Sequence, residues 1–116
     1  MIEKIGVGID IVDIRHFAKI PYSSRPKFYT KIFHESEIDY CLRFKNSAPH
    51  FAAKFAVKEA VQKSIKEKIG MLEIKTTHKN SKPHVLLTKK LPYKFTISLS
   101  HDGNVAVAVV ISERSS

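Results

Sequence analysis

The chain has no tryptophan and one cysteine, Cys41, in 116 residues. A lone thiol excludes an intrachain disulfide and a cysteine-cluster metal site. No apolar run reaches the length of a membrane span, the longest being Val105 to Ile111. Met1-Ile-Glu-Lys-Ile-Gly6 lacks the basic stretch, apolar core and cleavage site of a secretory leader. No repeat and no low-complexity linker interrupts the chain. These absences predict a soluble, cytoplasmic chain folded as a single domain over residues 1–116.

Acid is scarce as well: 20 Lys and Arg stand against 11 Asp and Glu, a net charge of +9. Such an excess favours anionic partners, whether nucleic acid, phosphorylated small molecules or acidic proteins. The basic residues fall in loose groups at Arg15–Lys31, Lys63–Lys82 and Lys89–Lys94, with no arginine-rich arm. The Gly-x-x-x-x-Gly-Lys loop, Gly-x-Gly-x-x-Gly and His-Glu-x-x-His are all missing. The six histidines are scattered, and none has zinc-ligand spacing. His101 alone stands out, at the end of an alternating stretch just before a tight turn, where functional side chains often project.

What is present is a 43% hydrophobic chain with an α+β pattern. Ile5 to Ile14 predicts a buried strand entering a helix that carries Arg15, Phe17 and Ile20. Pro21 to Pro26 marks a loop, and Phe28 to Phe33 a short helical turn. Glu37 to Phe44 reads as a helix capped by Ser36, with Ile38, Leu42 and Phe44 inward. A long helix is expected from Ala48–His50 to about Lys68, stopping at Gly70. Leu72 to Thr76, Val85 to Leu87 and Phe95 to Leu99 predict strands, and Asn80-Ser-Lys-Pro83 a turn. Asp102-Gly103 signals a hairpin into Val105–Ile111, a return strand apolar on both faces and therefore central. Glu113 to Ser116 is expected to fray.

Phe51-Ala-Ala-Lys-Phe-Ala-Val-Lys-Glu-Ala-Val-Gln-Lys63 is the most informative stretch. Each helical residue advances about 100°. Lys54, Lys58 and Gln62 then share one side, as a solvated stripe should. Glu59 and Lys63 lie roughly a third of a turn away, among Ala52, Phe55 and Ala56. Two readings fit: an ordinary i,i+4 pair worth a few tenths of a kcal/mol, or charges facing something small and polar. Asp10 is a second anomaly, a carboxylate inside Val7-Gly-Ile-Asp-Ile-Val12. It needs a partner, either as a helix cap, an arginine pair or a cation ligand. Gly8 permits close backbone approach beside it. Two such carboxylates suit a hard cation such as Mg²⁺, with Lys63 serving phosphates on the same substrate.

Gly8-Ile-Asp-Ile-Val-Asp-Ile14, Phe55-Ala-Val-Lys-Glu-Ala-Val-Gln-Lys63 and Ser98-Leu-Ser-His-Asp-Gly103 together resemble the holo-acyl-carrier-protein synthase family. These are the short, one-domain class of 4′-phosphopantetheinyl transferases. The resemblance spans nearly the whole chain in the right order. It implies an α+β phosphopantetheinyl transferase-like fold, with a long central helix on a small, mostly antiparallel sheet. It implies transfer of 4′-phosphopantetheine from coenzyme A to a serine of an apo acyl carrier protein, with Mg²⁺, releasing 3′,5′-ADP, in fatty acid biosynthesis. Asp10 and Glu59 would hold the Mg²⁺, and Lys63 the phosphates. Lys58 and His101 would lie near the coenzyme. Glu59 or a water on the metal would take the serine proton. Arg15, His16, Lys19 and Arg25 would dock an acidic carrier. Members typically assemble as homotrimers, with the coenzyme at subunit boundaries.

The chain also departs from the family pattern. His16 replaces the usual docking arginine, with Arg15 beside it. Ile65-Lys-Glu-Lys-Ile-Gly70 replaces a glycine-rich segment, and Val105 an aromatic. Two alternatives follow: a relative serving a different carrier protein, and a basic nucleic-acid-binding module. The second needs aromatics displayed among the lysines, whereas Phe51, Phe55 and Phe95 are expected in the core.

Overall fold

The computed structural model of the chain describes residues 4–115. The expectations resting on Met1–Glu3 and on Ser116 lie outside the described residues. Among the described residues, five strands and four α-helices follow in the order β1 (Ile5–Asp13), α1 (Arg15–Lys19), α2 (Pro26–Thr30), α3 (Glu35–Leu42), α4 (Ala48–Ser64), β2 (Ile74–Lys79), β3 (Lys82–Leu87), β4 (Tyr93–Asp102) and β5 (Val105–Arg114). A short 3₁₀ turn, Met71–Glu73, precedes β2.

All strand pairs are antiparallel. β5 is central in a three-stranded sheet ordered β1-β5-β4, and β2 and β3 form a separate hairpin. The doubly apolar run Val105–Ile111 predicted that central place. Rows of this sheet set which side chains share a face. Asp10, Ala108 and Leu99 form one row; Val12, Ala106 and His101 form the next.

The architecture is α+β, as expected, and α4 is its axis. One side of α4 packs on β1 and β5, while α3 and β2 cover the other. Pro49 sits in its first turn, where the missing N–H costs nothing. A close approach brings α4 onto β1. A Cβ on Gly8 would lie 1.9 Å from the Ala60 carbonyl oxygen, and one on Gly6 1.8 Å from that of Ser64. Only glycine fits there. The core gathers Val12, Phe17, Tyr29, Phe33, Phe51, Val57, Val61 and Val110.

Several expectations need correction. β1 is not a buried strand. Its helix-facing positions are Gly6, Gly8, Asp10 and Val12, while Ile5, Val7, Ile9 and Ile11 are 52–66% exposed on the opposite face. The long helix ends at Ser64, short of Lys68, because Ile65 turns extended and buries itself with Ile69. Helix α3 begins at Glu35 after His34, not after Ser36, and leaves Leu42 and Phe44 exposed. Leu72 lies in the 3₁₀ turn, ahead of the strand. Glu113 and Arg114 do not fray: they pair with Ile5 and Tyr93.

Candidate active site

Asp10 reaches the α4 side of β1 because strand alternation puts it on the row of Gly6 and Gly8. The glycines bring the helix close enough for its last two turns to meet that carboxylate. Lys63 Nζ donates to Asp10 Oδ1 at 3.0 Å and to the Ile9 carbonyl at 3.0 Å. Asp10 is 11% exposed and Lys63 54%, so the pair stands where the buried side of the sheet meets solvent. Asp10 Oδ2 is buried and has no hydrogen-bond partner. Glu59, one helical turn before Lys63, is half-buried beside them. Burial raises its carboxyl above the ordinary value, the Asp10 charge raises it further, and Lys63 pulls it back. Lys63 therefore turns to Asp10 rather than making the local i,i+4 pair.

This arrangement fits a divalent cation. Two carboxylates converge, one with an orphaned oxygen and the other destabilised as an anion by its neighbour. All the donors are hard oxygens, of the kind Mg²⁺ takes.

Lys58 does not join this cluster, which corrects its assignment as a coenzyme contact. It is fully buried, and its three protons are spent on the Ile32 carbonyl (2.8 Å), Glu37 Oε1 (2.7 Å) and the Met71 carbonyl (3.1 Å). Glu37 is saturated in turn: its oxygens also accept from the His34 N–H and from the Thr76 N–H and hydroxyl. Lys54, 4% exposed, donates to the Thr76 hydroxyl at 2.9 Å and sits over the Tyr40 ring. Lys54 and Lys58 of the supposed solvated stripe thus form a covered polar layer under α3 and β2, while Gln62 is half-buried and donates to the Ile69 carbonyl.

His101 is exposed at the end of β4. It shares the helix-facing side with Asp10, but two strands away, which is about 10 Å. The structure thus brings Asp10, Glu59 and Lys63 together and leaves His101 apart. His101 lies instead beside His50, whose ring is lowered by burial and by the charges of His101 and Lys54. Sequence reasoning missed this second basic region. A polar hollow of about 290 Å³ between α3, α4 and β2 is lined by Tyr40, Arg43, Lys54, Thr77 and His78 among others. Its signal was the lysine at position 54, hidden by the assumption that the stripe met solvent.

Arg15, His16, Lys19 and Arg25 are all exposed around α1 and the loop after it. Arg15 is already engaged: its guanidinium forks onto Asp13, and its backbone N–H joins them. These bonds pull the Asp13 carboxyl down to about 2. Arg25 also lines a basic-rimmed concavity of about 520 Å³, floored by Phe28 and flanked by Lys27 and Lys31.

Asp10, Glu59 and Lys63 thus come together where α4 crosses the glycine-faced strand β1. A sequence model of the 4′-phosphopantetheinyl transferase superfamily matches residues 6–110, and the chain belongs to that family. Within it, the chain is similar to proteins called holo-[acyl-carrier-protein] synthase. One, from Thermodesulfovibrio yellowstonii, is 42% identical, aligned over 91% of this chain and 96% of its own. Another, from Geotalea daltonii, is 37% identical over 94% and 98%. Among solved structures, the Helicobacter pylori holo-[acyl-carrier-protein] synthase in complex with coenzyme A superposes with a TM-score of 0.77 at 30% identity, covering 92% and 99%. The Bacillus anthracis holo-(acyl-carrier-protein) synthase in complex with CoA (3′,5′-ADP) gives 0.79 at 28%, covering 95% and 96%.

Proposed function

We propose that this chain transfers the 4′-phosphopantetheine arm of coenzyme A to a serine of an apo acyl carrier protein, releasing 3′,5′-ADP. The observation that carries the reading is the orphaned Oδ2 of Asp10 beside Glu59 and Lys63. Asp10 and Glu59 would hold Mg²⁺, which neutralises charge on the diphosphate when bound. Lys63, half-exposed, can swing from Asp10 to a substrate phosphate as a mobile point charge. Glu59 would also take the serine proton. The serine oxygen then bonds to phosphorus as the bond to the departing 3′,5′-ADP breaks. Positioning and charge neutralisation supply most of the rate in such transfers.

A homotrimer is part of the proposal. Ile5, Val7, Ile9, Ile11 and Ile111 make an exposed apolar row on the sheet face away from α4, larger than an isolated subunit keeps without reason. Association through this face would bury that row between copies, and the coenzyme would lie at the boundary between them. The cytoplasm is the compartment this reading implies, and no helix among the described residues is long and apolar enough to cross a membrane. A relative acting on another carrier is the second reading. It is favoured by the occupied Arg15 and by His16 beside it.

The test is to incubate the protein with coenzyme A, Mg²⁺ and apo acyl carrier proteins and weigh the carriers. Gain of one phosphopantetheine is expected. A folded protein that modifies none of several carriers sinks the reading.

A further inference from the structure

We propose that Asp13 is an internal competitor for Arg15, and that it sets how strongly an acidic carrier surface is held. The inference rests on the carrier-modifying reading above. Asp13 ends β1 and Arg15 opens α1, so the two meet across a turn the fold has already fixed. The geometry is a fork on a carboxylate: Arg15 Nε donates to Asp13 Oδ1 at 3.0 Å and Nη2 to Oδ2 at 2.8 Å. Arg15's backbone N–H adds a bond to Oδ1 at 2.9 Å. This is the arrangement by which arginine recognises carboxylates on partner proteins.

The rest of the basic patch is different. Lys19, Arg25, Lys27 and Lys31 form no ion pair among the described residues. They are free to meet acid on a partner. Arg15 is 61% exposed and within reach of the same partner, but a partner carboxylate gains it only by displacing Asp13. That exchange trades one carboxylate for another and leaves Asp13 unpaired next to an acidic surface. Arg15 therefore adds little to affinity while Asp13 is present, and the local negative charge favours release of the carrier. The occupant of this surface is an acidic protein, the charge complement of the exposed Lys19, Arg25, Lys27 and Lys31 on a chain of net charge +9.

Binding of fluorescently labelled apo acyl carrier protein, read by anisotropy without coenzyme A, isolates docking from turnover. Asp13→Asn removes the charge yet keeps an oxygen for the Arg15 backbone N–H. It is expected to tighten the dissociation constant about three- to tenfold at low ionic strength. Arg15→Ala is expected to weaken binding less than about twofold alone, but about fivefold or more in the Asp13→Asn background. Asp13→Ser, which also keeps an acceptor oxygen, replaces Asp13→Asn if thermal melting shows that variant unfolded. Equal effects of Arg15→Ala in both backgrounds, or no tightening in Asp13→Asn, overturn the inference. If the wild-type protein binds and modifies carriers but shows no coupling, the inference alone falls. If it neither binds nor modifies any carrier, the reading above falls with it.

Discussion

Lys58 and Lys63 stand on the same helix and each pairs with a carboxylate, yet they belong to opposite kinds of site. Lys58 and Glu37 are sealed between α4, α3 and β2, and every proton and lone pair has a partner. Lys63 and Asp10 stand at the solvent boundary, with one carboxylate oxygen buried and unpartnered and the Glu59 carboxyl raised by burial and by Asp10 beside it. A finished network holds a fold in place, and an unfinished one awaits a ligand. Burial of charge therefore does not by itself mark a functional site; an unpartnered carboxylate oxygen beside a second carboxylate points to one.

The largest expected effect lies on the unfinished side. Asp10→Ala and Glu59→Ala should each lower kcat/KM for carrier modification by about a thousandfold or more, the scale of removing transition-state charge stabilisation. Their thermal midpoints should stay near wild type. A variant that keeps most of its Mg²⁺-dependent activity would remove that residue from the site.

The inner pair should answer in stability instead. Lys58→Met strands the Glu37 carboxylate in the core and is expected to cost about 3–5 kcal/mol in urea unfolding. Joint replacement of both partners by apolar residues should recover much of that loss. An undiminished Lys58→Met protein would mean the pair is not buried as described.

Acid should separate the two regions further. Burial alone would raise the Glu37 carboxyl, but bonds from Lys58, from Thr76 and from the His34 N–H hold it below 4.5. Because the folded value is the lower one, the unfolded chain takes the proton more readily. The stabilisation is present above about 4.5 and is lost as pH falls through the folded value. Glu67, held at about 2 by Tyr93 and Arg114, acts in the same direction. Glu37→Gln should therefore flatten the fall of melting temperature between neutral and acid pH and leave a residual slope due to Glu67. Parallel slopes in wild type and variant would contradict this.

A smaller, geometric effect should link the regions. Gly8→Ala puts a methyl 1.9 Å from the Ala60 carbonyl, so α4 must shift away from β1. A loss of about 1–3 kcal/mol is expected, with a rise in the Mg²⁺ concentration needed for activity because Asp10 and Glu59 part. Wild-type metal dependence in a folded Gly8→Ala protein would uncouple the glycine from the site.

Much of this was legible in residue pattern. The central strand followed from an apolar run with no polar face, and the β4–β5 hairpin from Asp102-Gly103. Asp10 and Glu59 stood out as carboxylates where local periodicity wanted apolar groups. The face of β1 was not legible, because its isoleucines and valines read as core. The glycines opposite had been selected by the helix's approach, which is a long-range fact. Lys54 and Lys58 misled for a related reason. A helical wheel separates polar from apolar faces, but it cannot say whether the polar face meets water or Glu37 and Thr76. The early end of α4 at Ser64 was not legible either, because Ile65 leaves the helix to be buried in the tertiary core, which local periodicity does not show.

The central claim, that Asp10 and Glu59 form one cation site while the Lys58 pair forms none, is tested most directly by titrating Mn²⁺ as a Mg²⁺ surrogate and following free metal by electron paramagnetic resonance. Wild-type protein should take up the ion, Asp10→Asn and Glu59→Gln should each lose most of that uptake while remaining folded, and Glu37→Gln should retain it. Equal Mn²⁺ binding by wild type and by the Asp10→Asn and Glu59→Gln variants would contradict the account.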